Sequence, residues 1–269
     1  ILRQLFIVAA VIGVSVLAVR ALDDQAGSDI QARCPKGMVF ISSVQGGFCM
    51  DKFEASAGPD CPQTAPASRR DTLSNLKEFA CRPQSRKGEL PWRFISRSQA
   101  AEVCARAGKR LPTNQEWQQA ALGTPDPAAS WGASDCQVDK NWPEQPGPTG
   151  SAGNCRSGAG AYDMVGNVWE WVHETIKDGR LKGGRELPGS GFIASMDENG
   201  FPYATELGQG SASYNNDYFW LKQKGVRSIA RGGYWNNGSD AGKYAMYAVS
   251  DIEFIGPGVG FRCVTTSNW

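Results

Sequence analysis

The chain opens on an unbroken run of apolar and small residues from Leu5 to Val19, bracketed by Arg3 and Arg20. No polar face interrupts it, so it does not read as an amphipathic core helix. Crossing a membrane takes roughly 17–25 largely apolar residues, a length reached when Ile1, Ala21 and Leu22 are included. The pattern predicts an anchor over residues 1–22. A signal sequence is the competing reading, because Val19-Arg20-Ala21 weakly imitates a small-residue cleavage site. Residues 23–36 follow as a polar linker, and one large domain takes 37–269.

Within that domain, Met38 to Ile41 and Phe48 to Phe53 are short apolar runs on either side of Gln45-Gly46-Gly47, a hairpin pattern. Residues 55–90 are rich in Pro, Ser, Arg and Gln, lack periodicity, and read as a long surface excursion. Ser98 to Ala107 is the clearest helix: Ala101, Val103, Cys104 and Ala107 recur at helical spacing, and Gly108 ends it. Thr113 caps a second helix, with Glu116 completing a capping box and Trp117, Ala120 and Ala121 forming its apolar face. Beyond it the chain reads as strands and loops punctuated by glycine and proline. Asn215 to Trp220 fits either an exposed aromatic loop or a core strand after a turn. Two short helices in an irregular β-rich chain give an α+β class.

Composition narrows the function. The net charge is +1, from 28 basic and 27 acidic residues with no dense Lys/Arg run, which excludes nucleic acid as a partner. Eight cysteines, no CxxC pair and a lone histidine (His173) point to disulfides rather than zinc, and therefore to an oxidising compartment. Cys34 and Cys49 flank the hairpin, and Cys61 and Cys81 flank the excursion; each pair is a candidate bridge. With the anchor, this predicts a single-pass protein in contact with membrane lipid. Its N-terminus is cytoplasmic and its body extracytoplasmic, in a bacterial periplasm or at the cell exterior.

Four motifs occur in order: AGKRLPTNQEW at Ala107–Trp117, YDMVGNVWEW at Tyr162–Trp171, RGGYW at Arg231–Trp235, and GFRC at Gly260–Cys263. Together they resemble the formylglycine-generating (sulfatase-modifying factor) family. The resemblance implies an irregular C-type-lectin-like fold, rich in Trp and Gly. It also implies a bridge from Cys104 to Cys263, which leaves Cys136 with Cys155. In the family a calcium site is built around the GNVWEW stretch, so the resemblance makes Asn167 and Glu170, with backbone carbonyls, candidate calcium ligands. A turn held by hydrogen bonds is the simpler reading of the two residues. Trp169 and Trp171, two apart on one strand face, read as core, and Arg110 with Glu116 as a buried ion pair or as partners of backbone groups.

The family's enzymes hold copper on a cysteine pair just after RGGS. Here residues 234–246 contain no cysteine, and none lies between Cys155 and Cys263. Thiolate chemistry therefore has no candidate, and one histidine cannot assemble an iron site. No copper, zinc or iron site is expected. Asn236, Asn237, Asp240 and Lys243, together with Tyr218 and Trp220, remain as candidate surface for a partner or ligand. The leading expectation is a non-catalytic, membrane-anchored binding or scaffolding module, an accessory subunit beside other membrane or extracytoplasmic proteins. The alternatives are an extracytoplasmic oxidoreductase or protein-maturation enzyme with altered chemistry, and a calcium-assisted glycan or peptide binder.

Overall fold

A computed structural model describes residues 34–43, 46–127, 130–208 and 212–266. The expected anchor and most of the linker lie outside them. Among the described residues no helix is long and apolar enough to cross a membrane.

The expected hairpin forms: β1 (Met38–Ile41) pairs antiparallel with β2 (Phe48–Asp51). Residues 55–90 differ from the expectation. β3 (Ala55–Ala57) pairs with β4 (Pro83–Ser85), and α1 (Arg69–Lys77) lies between them. The helix carried no hydrophobic signal because what it buries is polar. Thr72 donates to the Arg93 carbonyl and accepts the Trp92 indole N–H, while the Asn75 amide exchanges two hydrogen bonds with the Gln63 backbone.

α2 (Arg97–Arg106) begins one residue earlier than expected, with Ser96 and Gln99 forming a capping box. α3 (Asn114–Ala121) starts with the predicted Thr113–Glu116 box. Glu116 also receives both guanidinium nitrogens of Arg110, at 2.7 and 2.6 Å, in a pair that is partly exposed rather than buried.

The remaining strands are β5 (Trp169–Lys177), β6 (Gly191–Met196), β7 (Pro202–Glu206), β8 (Tyr218–Leu221), β9 (Val226–Arg231), β10 (Met246–Ala248), β11 (Val259–Gly260) and β12 (Val264–Thr266). Seven of them form one mixed sheet in the order β11-β5-β9-β10-β8-β6-β7, and β12 joins β2 in a second, three-stranded sheet with β1. Apolar side chains on the two sides of the large sheet make separate cores. One contains Trp117, Met164, Val172, Ile229 and Phe219. The other contains Trp92, Ile95, Val103, Leu111 and Phe261. Asn215 and Asn216 adopt φ of 56° and 65°, turning the chain into β8, where Phe219 is buried. That segment is the core strand after a turn.

All eight cysteines pair, as Cys34–Cys49, Cys61–Cys81, Cys104–Cys263 and Cys136–Cys155, and no thiol is left free.

Candidate binding site

The strand registers place one row of residues across four neighbouring strands. Trp171 on β5 stands opposite Ala230 on β9, Ala230 opposite Tyr247 on β10, and Tyr247 opposite Trp220 on β8. Cross-strand partners share a face of the sheet. Ala230 therefore leaves a depression between three large rings. Trp169, two residues from Trp171, joins the same face and packs edge-on against Trp220 and tilted against Tyr247, each at 5.6 Å. Tyr234 and Phe254 complete the walls of a cleft of about 330 Å³. The Trp171 indole N–H donates to the Ile95 carbonyl, which fixes one wall. Phe254 stands at the rim, 40% exposed. Among the described residues, none with a carboxylate, amine, guanidinium, imidazole or thiol lines the cleft, whose ionisable groups are the phenols of Tyr234 and Tyr247.

The two tryptophans read as core are thus buried, at 7% and 1% exposure, yet form the cleft wall. Of the candidate surface residues, Trp220 and Asn237 line the cleft. Tyr218 stands behind, 4.7 Å from Trp220. Asn236 bridges to Asp139, Asp240 closes a short 3-10 turn, and Lys243 points to a separate acidic pair, so these three do not join the cleft. Alternation alone could have placed Tyr218 with Trp220 and Trp169 with Trp171. Tyr247, Phe254 and Ala230 join them only through strand order. His173 is exposed on β5, away from the cleft, and its carbonyl accepts from Arg97.

Asn167 and Glu170 lie beneath this face in a buried polar cluster. Both Glu170 oxygens are engaged by Arg262, at 2.7 and 2.6 Å, and Oε2 also accepts the Trp117 indole N–H at 2.7 Å. The Asn167 amide donates to Glu54 and Gly147 and accepts from the Gly147 N–H. Neither residue has an oxygen left over for a cation, so as arranged here the pair does not fit calcium. Gly166 turns the chain into this cluster at φ 75°, where an added Cβ would lie 2.1 Å from the Gln137 carbonyl oxygen.

Burial pushes Glu54 well above the usual carboxylate range, helped by Asp163 and Glu170 nearby. Burial likewise lifts Asp163 from 3.8 to about 7. A raised carboxyl means that the folded chain holds a proton the unfolded chain has lost, so stability falls as pH rises from about 4 to about 7. Asp163→Asn is expected to flatten part of that slope in a series of melting temperatures; an unaltered slope would assign the effect elsewhere.

A model of the sulfatase-modifying factor enzyme 1-like domain matches residues 50–267. The chain belongs to this family. Among family relatives, the mouse (Mus musculus) inactive C-alpha-formylglycine-generating enzyme 2 is 31% identical over 128 residues, covering 41% of this chain and 40% of that protein. Hercynine oxygenase of Mycolicibacterium smegmatis is 28% identical over 156 residues, covering 55% of this chain and 31% of the oxygenase. These matches span less than half of either relative. Among solved structures, the P3c variant of the major tropism determinant is similar at TM-score 0.45 and 18% identity, over 87% of this chain and 53% of that one.

Proposed function

We propose that this member of the sulfatase-modifying factor family is a non-catalytic binding module. It is held at the membrane by residues 1–22, with its body extracytoplasmic, and serves as an accessory subunit that takes an apolar segment of a partner protein into the aromatic cleft. The observation that carries the reading is the pairing of all eight cysteines in disulfides, beside a cleft of rings whose ionisable lining groups are the phenols of Tyr234 and Tyr247. Acyl, redox and metal-thiolate chemistry each need a reactive group where the ligand sits. Recognition needs only shape, apolar area and fixed walls, which buried aromatic rings supply. The first alternative, an enzyme with altered chemistry, would have only the phenols of Tyr234 and Tyr247 to work with in this cleft. The second alternative, a calcium-assisted glycan or peptide binder, is favoured by the exposed edge of Phe254 and by the Asn237 side chain at the lining.

The test is isolation of the full chain in mild detergent, followed by identification of proteins that co-purify in stoichiometric amount. Trp220→Ala should lower capture of such a partner about thirtyfold, the scale of a central aromatic anchor worth about 2 kcal/mol, and leave the fold intact. A chain isolated alone would sink the accessory-subunit reading. Tryptophan fluorescence that instead responds to monosaccharides would move the weight to a glycan ligand.

A further inference from the structure

The polar groups that line the aromatic cleft are mostly donors without an acceptor. The Trp171 indole N–H is committed to the Ile95 carbonyl. Those of Trp169 and Trp220 have no acceptor among the described residues, and neither nitrogen is sealed from solvent. Asn237 Oδ1 accepts the Tyr234 N–H at 2.9 Å, which orients the amide and leaves its NH₂ unpaired. Acceptors are scarcer. The carbonyls of Tyr234, Gly256, Pro257 and Gly258 already accept from Asn237 N, Phe94 N, the Arg93 guanidinium and Trp169 N. Among the lining side chains, the oxygens not already accepting are the phenols of Tyr234 and Tyr247, which donate as well.

This inventory selects among the forms an apolar segment can take. The four strands beneath the cleft, β5, β9, β10 and β8, are each paired on both sides, and β11 at its border is two residues long. A ligand therefore cannot join the sheet there as an added strand. A helix brings carbonyls already bonded within itself, so it leaves the donors of the cleft unmet. A sugar brings hydroxyl donors into a cleft short of acceptors. Polyproline II has no internal hydrogen bonds, its prolines offer carbonyls and no N–H, and aromatic-lined grooves recognise it. Its fixed backbone dihedral also leaves less freedom to lose on binding.

We propose, on the reading of the cleft as a partner's docking site, that the segment it takes is proline-rich and held in the polyproline II conformation. Its proline rings lie on Trp169, Trp220 and Tyr247. Its carbonyls accept from the Trp169 and Trp220 indoles and from the Asn237 amide. A cleft of about 330 Å³ is at the small end of binding pockets and holds a few residues of such a segment. Gly258 keeps the wall in place: a Cβ there would sit 2.7 Å from the Tyr234 ring, so glycine lets the chain close on it.

The probe is fluorescein-labelled decaproline, titrated by anisotropy into the full chain in mild detergent, with an alternating Leu-Ala decapeptide as the apolar comparison. Decaproline should bind saturably and about tenfold more tightly than the Leu-Ala peptide. Trp220→Phe keeps a ring but loses the N–H, and should weaken decaproline about fivefold, the scale of one hydrogen bond. Asn237→Asp keeps the oxygen that accepts from Tyr234 N but puts an acceptor where the donor was, and should weaken it about tenfold. Melting temperatures matching that of the parent chain show that both variants fold. Undiminished decaproline binding in both would place the peptide elsewhere and overturn the proposal. A Leu-Ala peptide that binds where decaproline does not would also overturn it, yet keep the cleft as an apolar docking site. If neither peptide binds, the proline assignment falls, and loss of a co-purifying partner in Trp220→Ala then decides separately whether the cleft docks a protein.

Discussion

Arg262→Met is expected to destabilise the chain by about 3–5 kcal/mol at neutral pH, the largest effect of any single substitution considered for this molecule. Arg262 and Glu170 are 0% and 1% exposed at their side chains. The guanidinium binds both Glu170 oxygens, the Asp51 carbonyl and the Tyr162 carbonyl. Its charge also faces Glu54 and Asp163. Removing it strands three buried carboxyl groups and unpairs two carbonyls. The loss should deepen as pH rises, because the stranded groups can take up protons only at low pH. Urea unfolding measures it. Adding Glu170→Gln should recover part of the loss, since the double change removes both members of the pair. A loss below about 1 kcal/mol at pH 8 would mean that the cluster does not depend on the guanidinium charge.

The second large effect is topological. Cys104 sits in α2 and Cys263 just before β12, 159 residues apart. In the chain-entropy model such a closure restricts the unfolded chain by roughly 5 kcal/mol, against roughly 3 kcal/mol for Cys61–Cys81, whose separation is 20. Paired Cys104→Ala/Cys263→Ala should therefore cost more than paired Cys61→Ala/Cys81→Ala. Melting temperatures of the two double variants under identical conditions decide the order. The reverse order would show that local packing, not loop closure, governs these bridges.

The legible parts of the fold were those where one residue type has one job. Thr113 with Glu116 caps α3 by a purely local geometry, and α2 stood out by Val103 and Cys104 at helical spacing before Gly108, although its expected start falls one residue late and misses its own Ser96–Gln99 box. α1 was hidden because Thr72 and Asn75 bury hydrogen bonds rather than hydrocarbon, which leaves no periodic apolar stripe. The cleft was half visible. Trp220 stood out as an aromatic in a polar stretch, but Trp169 and Trp171 look the same whether they face a core or a cavity. What separates the cases is Ala230, and its meaning depends on a four-strand register that no local pattern encodes.

The disulfide connectivity has a consequence for how the chain is made. Three bridges join neighbours in the order of synthesis, but Cys104–Cys263 encloses Cys136–Cys155. A chain oxidised strictly as each thiol emerges would link Cys104 to Cys136 and leave Cys155 for Cys263. Cys104 must instead wait, reduced, until Cys263 has been made, 159 residues later, or be rescued by exchange through a mixed disulfide. Yield in an oxidising host should accordingly depend on an isomerase acting on this one pair, although none of the eight cysteines of this chain ends as a free thiol.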